Sequence, residues 1–342
     1  MPPYPSADEY LGEKLFPDEA ALTEQLADTI EKGLRTKYQA GDARRDVHAK
    51  ATGIFKAEFR VDDTLPGNLA KGVFIPGKVY QAWIRFSNGS GDPLEVDNKD
   101  DGRGMAIKLL EVPGKKLLEI DQNATTQDFV MLNHPLFVTN NPHTYLSLTQ
   151  ETGSSNLLTK LAVPFTLGLK GTMLARELGL GKISNPFQIR YFSAVPYQLG
   201  IGPDRRAVKY SAKPTSGTVD PMPDNPGPNY LTDAMRATLQ KGDVTMRFLV
   251  QPKTSDSMSV EDSMTEWNEG EAPFYEVATI HIPQQDFDTA EQNSFGENLS
   301  FNPWHALPEH RPLGSLNRMR KVVYERVSRV RHEMNSVQRH EP

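Results

Sequence analysis

Arg320, Tyr324 and Arg331 lie in a basic segment, Ser315 to Met334, that reads as a helix. At about 100° per residue the three fall within roughly 40° of one another, so two arginines flank one tyrosine on a single face, with Val327 beside them. A tyrosine hydroxyl ionises near pH 10, and adjacent positive charge favours the phenolate. A phenolate is a hard anionic ligand suited to ferric iron, and tyrosine is one of the recognised axial ligands of heme iron. The competing reading is a solvated basic face, because the same segment also carries Arg318, Lys321, Arg326 and Arg329. The spacing alone leaves both open.

Composition narrows the chemistry. The chain has 342 residues and no cysteine. That excludes disulfides, zinc–thiolate sites, iron–sulfur clusters, thiol catalysis and thiolate-ligated heme. With 37% hydrophobic and 24% charged residues it reads as globular, and a net charge of −6 argues against a general nucleic-acid binder. The N-terminal stretch Met1 to Phe16 has no basic start followed by an apolar run. The longest greasy segment, Leu161 to Leu169, is interrupted by Pro164 and Thr166 and falls far short of the roughly 20 residues of a membrane span. A cytoplasmic protein is the expectation.

The elements that must position these residues follow from periodicity. From Pro17 to Ala40, Leu22, Leu26, Ile30 and Leu34 recur every fourth residue behind Asp18 and Glu19, which predicts an amphipathic helix. The period then becomes two: Phe55, Ala57, Phe59 and Val61 alternate with Lys56, Glu58 and Arg60. Further strands are expected at Val79 to Phe86, Gly104 to Leu110, Thr126 to Leu132, Val244 to Val250 and Phe274 to Ile282, several separated by turn signals such as Asn88-Gly89 and Asp101-Gly102. Few helices separate the early strands, so an α+β architecture with an antiparallel barrel fits better than βαβ units. A helical stretch is expected over Asn156 to Leu180, and Gly202 to Tyr230, dense in Pro, Gly and Asp, reads as a long surface excursion. The whole forms one domain over 1–342, with the barrel at about 45–285.

Five blocks then carry a resemblance. Arg45-Asp46-Val47-His48-Ala49-Lys50 resembles the distal-histidine motif of heme catalases. Trp83-Ile84-Arg85-Phe86-Ser87 is similar to that family's Val-Arg-Phe-Ser strand, and Asp101 to Lys108 to its Asp-Pro-Arg-Gly-Phe-Ala-Val-Lys segment. Thr126 to Phe137 resembles the stretch that ends on the heme-stacking phenylalanine. Arg320, Tyr324 and Arg331 reproduce the spacing of the proximal helix. The chain is shorter than ordinary catalases and shows no flavodoxin-like extension, so it resembles the small catalase-related peroxidases, or minicatalases.

The resemblance implies roles and a cofactor, heme b. His48 would be the distal acid–base, with Ser87 fixing its tautomer. Tyr324 would be the proximal iron ligand, with Arg320 supplying charge to it. Arg45, Arg85 and Arg331 would pair with the heme propionates, and Phe137 would lie against the porphyrin face. Two departures stand out. Asn123 is one position off the family's distal asparagine in a gapless match, so either a gap places Asn123 over the heme or the role is vacant and Ala124 opens the pocket. Ala51 replaces the glycine that follows His-Ala-Lys.

The implied activity is cleavage of the O–O bond of hydrogen peroxide or of organic and lipid hydroperoxides, with a small organic electron donor as reductant. Weaker peroxide dismutation and better peroxidatic turnover are expected from the short chain and altered distal loop. Rearrangement of a fatty-acid hydroperoxide, of the allene oxide synthase or hydroperoxide lyase type, is the alternative; Val47 before His48 disfavours it, since those relatives resemble Thr there. A non-catalytic heme- or lipid-binding protein is the other. No nucleic-acid partner is implied, and a homodimer is plausible by family.

Overall fold

Alternation along Ala51–Val61 builds the first wall of a barrel: Phe55, Ala57, Phe59 and Val61 are buried, while Lys56 and Arg60 face solvent. The computed structural model describes residues 3–153, 161–179 and 182–342. Nine strands follow in order: β1 (Ala51–Val61), β2 (Val79–Asn88), β3 (Arg103–Leu109), β4 (Gln127–Leu132), β5 (Tyr191–Phe192), β6 (Tyr197–Leu199), β7 (Arg206–Pro214), β8 (Val244–Pro252) and β9 (Tyr275–Ile282). Pairing runs β1-β2-β3-β4-β5-β7-β8-β9 and returns to β1, all antiparallel, which closes an eight-stranded barrel; β6 adds to β7 outside that circuit. Closure leaves no edge in the circuit to be capped.

Aromatic rings fill the interior. Phe129 lies 4.9 Å from Phe248 and 5.1 Å from Tyr210, and Phe59 lies 5.1 Å from Phe248, centroid to centroid. Burying each such ring contributes about 1.5–3 kcal/mol, so one-sided alternation over several strands is enough to set the barrel's inside.

Six helices are placed among the described residues: α1 (Glu19–Lys37), α2 (Pro142–Gly153), α3 (Val163–Gly179), α4 (Tyr230–Leu239), α5 (Ala290–Asn298) and α6 (Ser315–Met334). Helix α1 carries Leu22, Leu26, Ile30 and Leu34 inward, as their spacing predicts. It is tied to α6 by Arg326, which reaches Glu24 (2.8 Å), Asp28 (2.7 Å) and Glu31 (3.3 Å). Among the described residues no helix is long and apolar enough to cross a membrane.

One expectation is corrected. Gly202 to Tyr230 is not wholly a surface excursion, because β7 passes through it with Val208, Tyr210 and Ala212 buried in the barrel. The flanking Gly202-Pro203-Asp204 and the Pro- and Gly-rich run after Pro214 hide a strand whose alternation spans few residues. The helical stretch expected over Asn156 to Leu180 is helical in its described part as α3, bent at Gly168, where φ is 65°; α2, Pro142–Gly153, precedes it and was not anticipated. Residues 154–160, 180 and 181 of that region lie outside the described residues.

The register of β2, β3 and β4 fixes what faces outward from the barrel. Ser87, Gly104 and Leu132 form one cross-strand row, Arg85, Ala106 and Val130 the next, and Trp83, Lys108 and Asp128 a third. Because side chains alternate, Ile84, Ile107 and Phe129 between them point into the core.

Candidate functional site

A cavity lies over these rows, between the barrel wall, the segment Arg45 to His48, and helices α1, α2 and α6. Together with the open solvent at its mouth it spans about 900 Å³ of atom-free space. Its floor includes Ala106 and Val130; Ile30, Val323 and Val327 add apolar wall, and Arg45, His48, Arg85, Ser87, Tyr324 and Arg331 line it as polar groups. Five elements distant in sequence thus converge on one space.

His48 sits just before β1 with φ at 57°, a left-handed conformation that is uncommon outside glycine and costs about 1–3 kcal/mol. Its backbone is held from both sides, its N–H donating to Gly89 O (3.0 Å) and its carbonyl accepting from Arg85 Nη2 (2.8 Å). The ring nitrogen Nδ1 lies 2.9 Å from Asn88 O and 3.1 Å from Ser87 Oγ. A carbonyl oxygen only accepts, so Nδ1 carries the hydrogen and Nε2 is left with its lone pair. Burial, then the charge of Arg85, pushes the imidazole down to about 4, so it is a neutral base at physiological pH.

Gly104 makes this seating possible. A Cβ there would fall 2.6 Å from His48 Nδ1 and 2.8 Å from Ser87 Oγ. The ring therefore lies close against bare backbone of β3. Nothing in the sequence reading singled out this glycine individually, although it lies within the Asp101 to Lys108 block.

Across the cavity, α6 presents Tyr324. The helix turns Leu316, Met319, Val323 and Val330 into the protein, and this apolar stripe fixes its rotation. Arg320 lies 4.9 Å from the Tyr324 ring centroid and is anchored by a 3.0 Å bond to Asn317 Oδ1. Burial opposes the charge on Arg320, and the phenols of Tyr324 and Tyr197 outweigh it, raising its basicity. The basic helix is therefore not a solvated face. Arg318 is buried among Glu13, Glu19 and Glu261, Lys321 reaches Glu119, and Arg326 bridges to α1.

The third group is a knot of guanidinium ions. Arg45 Nη2 donates to the carbonyls of Gly296 (3.1 Å) and Leu299 (2.6 Å), and Arg331 donates to those of Glu297 and Leu299. Among the described residues the carboxylate that pairs with both is Glu297, 3.1 Å from Arg45 and 3.7 Å from Arg331. Burial and repulsion from Arg45 push Arg331 down to about 9, and the same causes lower Arg85 strongly. Arg45 Nη1 and Arg85 Nε are buried with no hydrogen-bond partner. Three cations thus share one carboxylate and keep unused donors, an arrangement ready for an anionic ligand.

Two predicted residues sit apart. Phe137 is not on the cavity wall; it backs Tyr145, which is, with ring centroids 5.7 Å apart. Asn123 is exposed in the turn before β4, while it is Val130, further along that strand, that meets the cavity. Asn123 therefore does not stand over the cavity. Ala124, in the same turn, does not line it either. Glu297 and Tyr145 were not anticipated, since neither has a local pattern that marks it.

No protein-family model matches the chain. It is 28% identical over 291 residues to a protein named catalase-related peroxidase from Mycolicibacterium paratuberculosis, covering 82% of this chain and 86% of that protein. Among solved structures it is similar to a bacterial catalase (TM-score 0.69, 16% identity, 99% of this chain and 68% of that one). It is also similar to catalase A from Saccharomyces cerevisiae (TM-score 0.67, 18% identity, 96% and 70%). A fungal catalase aligns with 94% of the chain (TM-score 0.65, 18% identity), and this chain spans only 63% of its length.

Proposed function

We infer that this chain, which belongs to the catalase superfamily and is of the small catalase-related peroxidase kind, is an oxidoreductase acting on peroxide, and we propose that it works with heme b bound in the cavity described above. The residues fit such a group. A dicarboxylate suits the arginine cluster, whose three guanidinium groups meet one paired carboxylate, Glu297, and keep orphaned buried donors on Arg45 and Arg85. The apolar body suits a wall of Ile30, Ala106, Val130, Val323 and Val327, and the metal suits the oxygen of Tyr324. When bound, the group supplies the redox chemistry that peroxide bond cleavage requires.

The protein's own part is binding and proton transfer. Tyr324 would hold the metal, with the Arg320 cation against its ring. Arg45, Arg85 and Arg331 would orient the group through its carboxylates. Nε2 of His48 takes the proton from one peroxide oxygen and returns it to the other, so that the leaving oxygen departs as water or, from an organic hydroperoxide, as an alcohol. Ser87 and the carbonyl of Asn88 keep Nδ1 protonated throughout, which holds the base on Nε2. The observation that carries this reading is the convergence of a neutral histidine, a tyrosine and an under-neutralised arginine cluster on one cavity.

The neighbourhood of His48 favours organic hydroperoxides reduced by a small organic donor over rapid dismutation of hydrogen peroxide. With Asn123 outside the cavity, the barrel wall beside Arg85 and Ser87 presents Ala106 and Val130, which offer alkyl contact rather than a further hydrogen-bond donor. The test is to purify the protein with ample heme, record the visible spectrum with and without peroxide, and compare turnover of hydrogen peroxide and cumene hydroperoxide in wild type and His48→Ala. A tyrosinate-type ferric spectrum, conversion of cumene hydroperoxide to the alcohol, and a loss of about 10²–10⁴-fold in the variant are expected. Absence of heme uptake defeats the reading. An epoxide or aldehyde product would shift it to rearrangement.

A further inference from the structure

The arginine cluster carries its own anion, and the way that anion is held differs from the way the arginines are held. Arg45 and Arg331 are fixed chiefly by backbone carbonyls at the C-terminal end of α5, those of Gly296, Glu297 and Leu299. Carbonyls at a helix C-terminus carry partial negative charge, so they position guanidinium groups without any carboxylate. The Glu297 side chain approaches Arg45 to 3.1 Å, yet Arg45 Nη1 has no directed hydrogen bond, and Glu297 Oε1 is buried without one. It sits near the cations without saturating them. Partly exposed Arg44, at 4.0 Å, is its only other cationic neighbour among the described residues.

We propose that Glu297 is a resident counter-ion of the ligand site: it offsets repulsion among Arg45, Arg85 and Arg331 when the cavity is empty, and it competes with the carboxylates of the ligand when the cavity is filled. The proposal rests on the porphyrin-site reading above. Its physical content is a charge count. With Glu297 the cluster has a surplus of two, matched to a dicarboxylate; without it the surplus is three, held in place by the same carbonyls. Removing the carboxylate therefore tightens binding of an anionic ligand and loosens the empty protein. A residue serving only to hold the arginines in position would have the opposite effect on binding.

The test uses the heme-free full-length chain and metal-free protoporphyrin IX, titrated by fluorescence, with the porphyrin's dimethyl ester as the uncharged comparator. Glu297→Gln should bind the diacid about tenfold more tightly than wild type, Glu297→Asp should fall between them, and the ester should bind all three alike. The ligand-free Glu297→Gln protein should unfold at a lower temperature. Equal or weaker binding of the diacid by both variants overturns the proposal, as does equal tightening of diacid and ester, which would report a larger cavity rather than a charge. Should Glu297→Gln not fold, Glu297→Asp decides by the same comparison. A wild-type protein that binds neither porphyrin would instead remove the porphyrin site itself.

Discussion

Two clusters of buried charge sit on the same outer face of the barrel, two residues apart along the strands. One is the arginine knot around Arg85. The other is built on Lys108, fully buried, whose ammonium lies 2.7 Å from Asp128 and 2.6 Å from Glu341. Glu341 also accepts from Thr126 (2.9 Å), and Arg339 pairs with Asp121 beside buried His305. Here two cations meet three carboxylates, and the carboxylates keep Lys108 charged despite its burial. Asp121, His305 and Glu341 stand close enough to hold a metal ion, but Lys108 and Arg339 already occupy their oxygens. The Arg318 cluster with Glu13, Glu19 and Glu261 is compensated in the same way. The contrast separates two uses of buried charge: a cluster in which every cation meets carboxylates fastens segments together, and one whose cations outnumber their carboxylates awaits an anionic ligand.

That distinction can be broken most sharply by removing one cation from each kind. Arg318→Met strands Glu19 in the interior without a cation and leaves Glu13 only Arg311, and about 3–5 kcal/mol of stability should be lost on denaturant unfolding. Arg85→Met should change the stability of the ligand-free protein by only about 1 kcal/mol, because it also relieves repulsion, while weakening protoporphyrin binding at least tenfold. Similar destabilisation by both would erase the difference between the clusters.

Gly104→Ala sharpens the comparison from the catalytic side. The new Cβ must displace His48 or Ser87, so peroxide-dependent turnover should drop roughly tenfold while porphyrin affinity, set by the arginines, stays within about twofold. Loss of both together would mean that the two halves of the site are not separable.

The pH profile tests the neutral histidine. The folded-state value of His48 lies below its ordinary 6.5, at about 4, so the base on Nε2 is present at neutral pH and is lost as pH falls through that value. Initial rates of donor oxidation should be level from about pH 7 to 5 and halve near pH 4. A half-point near 6.5 would show an imidazole exposed to water. The smallest effect belongs to Asn123→Ala, which should leave turnover within about twofold, since that side chain is exposed away from the cavity.

The helix faces and the long strands were legible because their burial is one-sided over many residues. Leu22 to Leu34 and Phe55 to Val61 each repeat a period long enough to name the element. Strands β5 and β6 are too short for a period, and β7 is masked by the proline and glycine around it. The candidate site was legible where a local motif carries it, as at His48, Ser87, Arg85 and Tyr324. It was not legible where only distance in space matters: Glu297 joins the arginines through the end of α5, and Tyr145 reaches the cavity from α2.

By itself the sequence determined the type of chemistry available. The absence of cysteine, the Arg–Tyr–Arg helix face and the histidine before a strand are properties of residue identity and spacing. Only the tertiary structure decided which charges are spent and which are free. Arg318 and Arg320 stand two residues apart on one helix, yet one is buried among three carboxylates and the other lies against the ring of Tyr324. Likewise Asn123 and Val130 belong to one segment, and only the second meets the cavity. The reason is physical: the energy of a charge or a polar group depends on what surrounds it, and its surroundings come from segments hundreds of residues away along the chain.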